Sequence, residues 1–565
     1  MQTMAIFEPN DRNYSDWTFI GGDVDTKRFH PIRDKLLVGD TVYPDKIEHT
    51  SRYRNMDAVP GILVYNGKTY GRHSRRMLYK CVPNDTRLPA FLVPYVEKET
   101  SFDKSKKNKF VLFKIVEWKD KHPLGMITNT LGEVSNLSVF YNYQLFCNDL
   151  QISIKKFTKA TNTAIRDRKT TPTWLNKMED RTAVNVITID PQGSVDYDDA
   201  LSIVKNKDGT QVVSVYISNV AAWLDKLDLW KDVSERVATV YLPDSKQTML
   251  PTVLSDNLCS LIAGEKRYVV AMDVTVDHDF VIQSVDFANC VIKVRNNYLY
   301  EEVKLLENSQ YRDICQAARS ICNDGMYMDE IQDSHDVVAF FMLMMNHRAG
   351  MILARCNLGI FRGVSLINRE KIEGVNNIPK CIQRTVSLWR NTKGHYETSS
   401  THAGHDLIGK GLKVYSQVTS PIRRIVDLVN IIELQKIMMI VPETSSHMRE
   451  FAKLWTDKVQ YINESMKKIS RVQNDCKLLE RCLKIDGTRD YKGYVIDILP
   501  LDNVNIQLSN DNTQVIVVYI EELGLTTQTF SDNDVQLYSL HRFTMHLFED
   551  ESTLKRKVRV QIQKY

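Results

Sequence analysis

The sequence predicts a multidomain protein in which small β-barrels stand before and after a larger mixed α/β domain. Three observations predict this arrangement. Hydrophobic residues mostly alternate, as in strands, through about residue 165; residues 182–487 combine strand-like runs with later helical ones; and alternating runs return from residue 488. A chain of 565 residues is also too long for one hydrophobic core, so three or four domains are expected.

The N-terminal part is expected to hold two barrels, over residues 1–90 and 91–165. KFVLFKIVEW (109–118) alternates like a strand, and GILVYNGKTYG (61–71) indicates two short strands about an Asn-Gly turn. SVFYNYQLF (138–146) is the first stretch with a helical period.

A linker is expected at residues 166–181, because the polar stretch KKFTKATNTAIRDRKTTPTW ends in Thr-Pro. In the domain that follows, VNVITID, TQVVSVYISNV and YVVAMDVTVD predict strands, and the segments 335–353, 423–440 and 448–484 predict helices. The Met-rich and aromatic stripes of these helices are interpreted as core. Four alternating runs after residue 488, YKGYVIDI, NVNIQLS, TQVIVVYIEELG and KRKVRVQIQKY, predict a final barrel.

Composition favours an intracellular protein with a polyanionic partner. The sequence has no long uninterrupted apolar run and no signal-like start, so no membrane association is expected. Ten cysteines without a CxxC pair indicate reduced thiols and argue against structural zinc. The net charge of +4 permits a polyanion without requiring one, but basic clusters at 72–76, 104–109 and 555–559 shift the balance towards nucleic acid.

The segment ITIDPQGSVDYDDALSI (187–203) concentrates four aspartates between two hydrophobic runs. A calcium loop of the EF-hand type is excluded, because the sixth and twelfth positions from Asp196 are Leu201 and Lys207. Adjacent carboxylates beside a buried strand raise each other's pKa unless a cation compensates them. A magnesium site is therefore favoured, and a solvated structural loop stays open as the alternative.

YSQVTSPIRRIVDL (415–428) supplies cations that phosphate chemistry needs. Arg423 and Arg424 open an apolar helix, where the helix dipole prefers acids. An anionic ligand would relieve that mismatch; the alternative is an ordinary surface pair of arginines.

Four stretches resemble motifs of the RNB family of exoribonucleases, in the family's order and spacing. They are D-P-x-G-x-x-D-x-D-D-A at 190–200, YLPDSKQTMLPTVLSDNLCSLIAGEKR at 241–267, NYLYEEV at 297–303 and TSPIRR at 419–424. The resemblance implies two N-terminal OB-type barrels of the cold-shock kind, an α/β RNB catalytic domain over 182–487, and a C-terminal OB-type RNA-binding barrel over 488–565.

The resemblance also implies processive 3′→5′ hydrolysis of single-stranded RNA, with release of nucleoside 5′-monophosphates by a two-metal mechanism. It implies one or two Mg²⁺ ions, for which Mn²⁺ could substitute. The matching metal ligands are Asp190, Asp196, Asp198 and Asp199. Asp199 would be the carboxylate required for chemistry but not for binding, Arg423 would contact the scissile phosphate, and Tyr241 would stack on the terminal base.

Further RNA contacts are expected at Arg362 and Arg424, and Tyr327 and Phe361 are candidates for a second aromatic clamp. Several positions depart from the family pattern, and we expect them around the RNA channel. They are Asn219, Ala339, Phe340, Val364, Ile431, Ile432 and Asn474. Since the four aspartates are intact, the departures predict altered RNA grip and product length rather than lost activity.

Two other functions stay open: a catalytically impaired RNA-binding or scaffold protein of the same fold, and an OB-barrel protein that acts on single-stranded DNA. The catalytic unit is expected to be monomeric and intracellular, with the cytoplasm as the first candidate compartment. Proteins of an RNA-decay complex are candidate partners beside the RNA itself.

Overall fold

The structure is a computed structural model. It describes residues 4–22, 24–97, 106–167, 172–323, 325–363, 394–401, 412–439, 446–484, 489–499, 514–531, 534–550 and 554–563, with a few positions between 378 and 386. The chain forms two compact units. One comprises Met1–Gln151, Leu242–Asp244 and Val472–Tyr565, and the other comprises Ile152–Tyr241 and Ser245–Arg471.

The elements of the described residues follow in chain order. The strands are β1 (Ala5–Pro9), β2 (Trp17–Gly21), β3 (Thr41–Val42), β4 (Ile47–Glu48), β5 (Val59–Leu63), β6 (Thr69–His73), β7 (Arg76–Pro83), β8 (Phe91–Tyr95), β9 (Lys109–Glu117), β10 (Leu124–Glu133), β11 (Glu179–Asp190), β12 (Asp199–Lys205), β13 (Gln211–Ser218), β14 (Val240–Tyr241), β15 (Lys246–Gln247), β16 (Lys266–Val276), β17 (Ile282–Leu299), β18 (Phe361–Gly363), β19 (His395–Glu397), β20 (Arg489–Leu499), β21 (Gln514–Ile520), β22 (Leu525–Ser531), β23 (Leu540–Asp550) and β24 (Lys555–Ile562). The α-helices are α1 (Leu137–Cys147), α2 (Lys155–Asp167), α3 (Val220–Lys226), α4 (Val303–Glu307), α5 (Ser309–Cys322), α6 (Ser334–Arg355), α7 (Ile425–Ile437), α8 (Ser446–Asp457) and α9 (Val459–Leu483).

The first unit opens with an antiparallel sheet in the order β2-β1-β3-β4. Ala5 and Phe7, alternate residues of β1, are fully buried, as a strand with one covered face requires. The ring of Phe7 lies 5.5 Å from that of Tyr14, 6.0 Å from that of Trp17 and 5.9 Å from that of Phe19. Aromatic packing therefore supplies most of this small core.

A second sheet follows in the order β5-β9-β10-β8-β7-β6, with a further pairing of β5 and β7. The predicted strand at 109–118 is confirmed as β9. The predicted hairpin at 61–71 is wrong in its pairing, because β5 pairs with β7 and β9 while β6 pairs with β7. The domain boundary at residue 90 is also wrong, since it falls between β7 and β8, which are neighbours in this sheet. Alternation in a sequence marks strands but does not say which strands pair.

The C-terminal strands form an antiparallel sheet in the order β22-β21-β20-β23-β24. Its edge strands meet where the Thr529 hydroxyl donates a hydrogen bond to the Val560 carbonyl, so the sheet curves back on itself as a small barrel does. Three of the four predicted runs correspond to β20, β21 and β24, and the run NVNIQLS lies outside the described residues. The predicted fold class, with β-domains flanking an α/β domain, is confirmed.

The second unit is built on a closed barrel, β11-β12-β13-β16-β17. Only β11 and β17 run parallel; the other neighbours are antiparallel. Along β13, Val213, Val215 and Ile217 belong to a hydrophobic cluster that includes residues of helices α5 and α6. Tyr216, on the other face of the strand, belongs to a second cluster formed mainly by residues of the barrel strands. Both faces of β13 are therefore covered, and this is why VVSVYI reads as a nearly continuous hydrophobic run.

Helix α6 lies in the core of this unit. Among the described residues it is the one helix long and apolar enough to cross a membrane by length and composition, but 61% of its most apolar window is buried within the protein. Phe340, Phe341, Met344 and Met345 have no exposed surface. The interpretation of the Met-rich stripe as core is confirmed. The predicted helix at 448–484 is two helices, α8 and α9.

The polar stretch 155–174, on which the linker prediction at 166–181 rests, is helical in its first part, and residues 168–171 lie outside the described residues. Most of KKFTKATNTAIRDR forms helix α2, whose inner face buries Phe157, Thr161 and Ala164. The turn at Thr173–Lys177 is anchored because Trp174 Nε1 donates a hydrogen bond to Asp225, 2.9 Å away. An apolar stripe of only three residues in a polar segment is too weak a signal for a helix to be predicted from it.

Candidate active site

Two of the four aspartates stand at the ends of paired strands. β11 ends at Asp190 and β12 begins at Asp199, and the two strands are antiparallel neighbours. Between them the Ser194 N–H donates to the Pro191 carbonyl (3.2 Å), and Gly193 has a φ of +84°, which L side chains rarely adopt. The P-x-G of the sequence thus forms a tight turn that brings both carboxylates to one end of the barrel.

A buried serine from another part of the sequence fixes this acidic loop. The Ser260 hydroxyl donates to the Val195 carbonyl (2.7 Å) and accepts from the Tyr197 N–H (3.0 Å). The Leu261 N–H then donates to the Tyr197 carbonyl at 3.0 Å. Because Ser260 is fully buried, these hydrogen bonds are shielded from water and hold the loop in one conformation.

Asp198 is paired with the segment that precedes α7. It accepts a hydrogen bond from the Ile422 N–H (3.0 Å) and an ion-paired one from Arg423 Nε (3.1 Å). Its side chain is 4% exposed, whereas that of Arg423 is 43% exposed. Burial raises the pKa of Asp198 to about 7, although the Arg423 charge and the Ile422 N–H oppose the shift.

Asp196 is held by a two-stranded ribbon. Tyr241 and Lys246 are cross-strand partners in the pair β14–β15. The Tyr241 hydroxyl donates to one carboxylate oxygen of Asp196 (3.0 Å), and Lys246 Nζ lies 3.1 Å from the other. Lys246 also contacts Asp256, at 3.0 Å.

Asp190 and Asp199 form a pair of interacting acids. Burial raises the pKa of Asp199 well above its ordinary value, and the negative charge of Asp190 raises it further. Burial likewise raises the pKa of Asp190, which is 9% exposed and whose Oδ2 has no hydrogen-bond partner among the described residues. Two like charges in this position favour either a retained proton or a bound cation.

One cavity of about 430 Å³ brings these groups together. It is lined by Asp190, Asp196, Asp198, Asp199, Tyr241, Lys246 and Arg423, with the turn residues between the first two. Among the described residues, no group of three or more His, Cys, Asp or Glu side chains has the arrangement of a ready metal site. The predicted magnesium site therefore stays a prediction, and the carboxylates would have to turn to form it.

Comparison with known families agrees with the motifs of this cavity. A family model described as RNB domain matches residues 178–324, and one described as Dis3-like cold-shock domain 2 matches residues 78–143. The first match contains all four aspartates and the second lies in the sheet that begins with β5. The chain thus carries a region of the RNB-domain type over residues 178–324.

Curated ribonucleases match parts of the chain. Ribonuclease R of Thermotoga maritima is 27% identical over 229 residues, 39% of this chain and 31% of the relative. Exoribonuclease 2 of Pectobacterium atrosepticum is 26% identical over 320 residues, 45% of this chain and 49% of the relative. Exoribonuclease 2 of Yersinia enterocolitica is 37% identical over 129 residues, 22% of this chain and 20% of the relative. The matches thus span from a fifth to about half of these relatives' lengths.

Solved structures show the same fold over nearly the whole chain. Mycoplasma genitalium RNase R, in complex with ribose-methylated single-stranded RNA, has a TM-score of 0.67 at 15% identity and covers 99% of this chain and 100% of its own. Yeast Ssd1, described as a pseudonuclease, has a TM-score of 0.58 at 16% identity and covers 96% of this chain and 81% of its own. At these identities the likeness concerns the fold.

Arg424, unlike Arg423, is directed into the protein and not into the cavity that the four aspartates line. It lies 2.8 Å from Asp427, which is fully buried in the first turn of α7. With its amide nitrogen donating to the Tyr396 hydroxyl, Gln417 accepts from Arg424 at 3.1 Å and from Arg362 at 2.8 Å. The carboxylates of Asp198 and Asp427 thus balance the two arginines at the start of α7, so no anionic ligand is needed to explain them there. The prediction that Arg424 and Arg362 bind RNA gains no support from this geometry.

The two candidates for a second aromatic clamp are wrong. Tyr327 is 4% exposed, its hydroxyl lies 2.9 Å from His347 Nδ1, and its ring packs edge-on against Phe340. Phe361 has no exposed surface. A ring that the core covers on both faces has no face on which a base could stack.

Several of the departures from the RNB pattern are buried rather than lining a channel. Ile431 and Phe340 are fully buried core residues, and Val364 lies outside the described residues. Asn219 is also fully buried: it caps α3 by accepting from the Ala222 N–H (3.1 Å), and its Nδ2 donates to Asn289 and to Gln435, each at 3.1 Å.

The sequence interpretation missed two groups beside the aspartates. Lys246 lies within YLPDSKQTMLP, the start of the motif at 241–267, and its positive charge is the signal that could have identified it. Tyr300, in NYLYEEV, stacks on His335 with ring centroids 3.6 Å apart, and its N–H donates to the Asp190 carbonyl at 3.2 Å. No spacing in the sequence reveals that stack.

Proposed function

We propose that this protein is a 3′→5′ exoribonuclease, which hydrolyses single-stranded RNA processively and releases nucleoside 5′-monophosphates. The observation that carries the proposal is the pair Asp190 and Asp199, two incompletely compensated acids that share a cavity with the half-exposed Arg423. Such a cavity combines donors for a cation with a donor for a phosphate. The RNB-domain match over residues 178–324 contains both aspartates.

The residues present fit a hard divalent ion. Carboxylate oxygens are the ligands that Mg²⁺ prefers, and Mn²⁺ accepts the same set. Asp190 offers an unpartnered, buried Oδ2, and Asp199 faces the same cavity, so these two would hold the ion, with Asp198 and Asp196 as neighbours. When bound, one or two such ions supply an activated water and charge stabilisation for phosphodiester hydrolysis.

The other side chains would bind and orient the substrate. The outer nitrogens of Arg423 are free of Asp198, which contacts only Nε, and one of them donates to the Ser420 hydroxyl at 3.0 Å. The guanidinium is therefore held in place and can donate to the scissile phosphate. The Tyr241 ring borders the cavity and can stack on the terminal base, a contact that tolerates any base.

The test uses full-length protein and a 5′-labelled single-stranded RNA, with Mg²⁺ or with a chelator. We expect the label to move through successively shorter products to a short limit product, only when Mg²⁺ is present, with nucleoside 5′-monophosphates released. A DNA strand of the same sequence serves as the control and is expected to survive. Internal cleavage, or shortening that the chelator does not stop, would contradict the proposal.

A second candidate function is RNA binding without hydrolysis. The observation that favours it is that Lys246 and Arg423 already contact two of the four acids, which lowers the charge left for metal ions. In the same experiment, this alternative predicts RNA of unchanged length that still binds the protein in a gel-shift assay.

A further inference from the structure

Lys246 is placed in the acidic cavity by the backbone of its own ribbon. It is the cross-strand partner of Tyr241, and both side chains reach the same carboxylate, that of Asp196. On its far side the ammonium contacts Asp256, which also accepts from the Ser255 hydroxyl at 2.7 Å. Two acids from two different segments therefore hold Lys246, whose side chain is only 25% exposed.

The four acids of the cavity divide into two sets by their partners. Asp198 has Arg423 at 3.1 Å and Asp196 has Lys246 at 3.1 Å. Among the described residues, Asp190 and Asp199 have no ion pair of their own; the Arg423 charge acts on both, but its ion pair is with Asp198. Two carboxylates without an ion pair carry the charge that one divalent cation balances, so a second divalent ion would have to displace an ammonium that two carboxylates hold.

An ammonium group can take the place of a metal ion in such a setting. It is a compact point charge with three donors, whereas a guanidinium is planar and spreads its charge. Lys246 uses its donors on Asp196 and Asp256, and it lines the same cavity as the unpartnered Oδ2 of Asp190.

We propose that Lys246 is a resident cation that occupies one of the cation positions of the cavity, so that the protein binds one divalent ion there rather than two. The proposal rests on the magnesium site of the proposed function and specifies its stoichiometry. Lys246 acts as a positioning residue: it holds one carboxylate oxygen of Asp196 while Tyr241 holds the other.

The test is the number of Mn²⁺ ions bound by the full-length protein without RNA, from calorimetric titration and from the electron paramagnetic resonance signal of free Mn²⁺. We expect one ion for the unaltered chain and two for Lys246→Met, which keeps the side-chain length and removes the charge. Lys246→Arg is expected to bind one ion. Lys266→Met, a change at an exposed lysine of β16, is the matched control and is expected to bind one.

Each outcome decides the proposal. Two ions on the unaltered chain, or one on a folded Lys246→Met variant, would overturn it, and thermal unfolding of each variant shows whether it is folded. Asp199→Asn is expected to weaken Mn²⁺ binding at least tenfold; no binding by any variant would refute the metal site as well as the role of Lys246. A change from one ion to two in a protein that never shortens RNA would support the resident cation and refute only the exonuclease.

Discussion

The acidic cavity and the buried amides around Asn219 lie side by side on the barrel, yet they treat buried polar groups in opposite ways. Asp199 pairs with Ile217 across β12 and β13, two residues before Asn219. In the cavity, four carboxylates, three of them with raised pKa values, face only two cationic side chains, Arg423 and Lys246. Around Asn219, three neutral side chains bond one another: Asn219, Asn289 and Gln435 are linked at 3.0 to 3.1 Å, although Gln435 Nε2 has no partner among the described residues.

The difference indicates that the acidic cavity, and not the amide cluster, is the place where a ligand would bind. A buried charge without a partner is costly and persists only where something else compensates it, whereas a buried amide group needs only its neighbours. Asn219 is fully buried and is not among the residues that line the cavity, so a substitution there is expected to leave the cavity unchanged. We therefore expect substitutions at Asn219 to affect stability and substitutions in the acidic cavity to affect catalysis, and the predictions below address this, beginning with the largest expected effect.

Asp199→Asn removes one of the two interacting acids and should abolish nucleotide release, by about 10³-fold or more. Binding of single-stranded RNA should remain, because the substitution adds no negative charge. In the absence of divalent ions the variant should also unfold at a higher temperature than the unaltered chain, since like-charge repulsion is relieved. Single-turnover kinetics, gel-shift titration and thermal unfolding measure the three effects.

Asp208→Asn is the matched control for that variant. Asp208 lies in the exposed turn between β12 and β13, outside the cavity. It should change neither the rate nor the metal dependence. Normal nucleotide release by Asp199→Asn would mean that the acidic loop is not the catalytic site.

Arg423→Ala should reduce the rate of hydrolysis about 10²- to 10³-fold, the usual effect of removing one donor to a developing oxyanion. It also leaves Asp198 with the Ile422 N–H alone, so a loss of about 1–3 kcal/mol in the free energy of unfolding is expected. Arg424→Lys, a change at the inward-facing neighbour, should leave the phosphate contact intact. An equal loss of rate in both variants would show that Arg423 has no special role.

Asn219→Ala should lower stability but not catalysis. Loss of the helix cap should lower the free energy of unfolding by about 1 kcal/mol, and the buried amide groups left unpaired should lower it by a further amount of about 1–3 kcal/mol. Asn136→Ala removes the corresponding cap from α1, at an exposed site without an amide cluster, and should cost only about 1 kcal/mol. Urea unfolding measures both losses. A fall in the turnover number of the folded Asn219 variant would show that the amide cluster also affects catalysis in the cavity.

His347 gives the smallest expected effect, a pH dependence of stability. Burial lowers the pKa of His347, with a further contribution from the Arg348 charge, so the folded protein resists a proton that the unfolded chain takes up near pH 6.5. The contribution of neutral His347 to the free energy of unfolding is complete at neutral pH. It is lost as the pH falls below about 6.5, by at most about 1.4 kcal/mol per pH unit. Urea unfolding at about pH 7.5 and about pH 5.5 should show a smaller difference in His347→Gln. His278→Gln, at an exposed site, should behave like the unaltered chain.

The local features of this molecule could be read from its sequence, and the pairing of distant ones could not. The aspartate spacing and TSPIRR identified residues that do line one cavity, because each motif carries its own charge pattern. Burial of Tyr327 and Phe361 could not be foreseen, since an aromatic residue reads the same in a core and in a channel. The role of Lys246 depends on a cross-strand partner and on Asp256, and neither contact has a signature in the sequence.

The ion pair between Asp198 and Arg423 also has a consequence for how the protein is made. The two residues are 225 positions apart, and the serine that fixes the acidic loop lies 65 positions after Val195. Such contacts close late, because long loops must be ordered before they form. During synthesis from the N-terminus, the acidic hairpin can fold well before residue 423 of the 565 has emerged. A nascent chain therefore carries the four acids of the cavity before the arginine that pairs with Asp198 has been made.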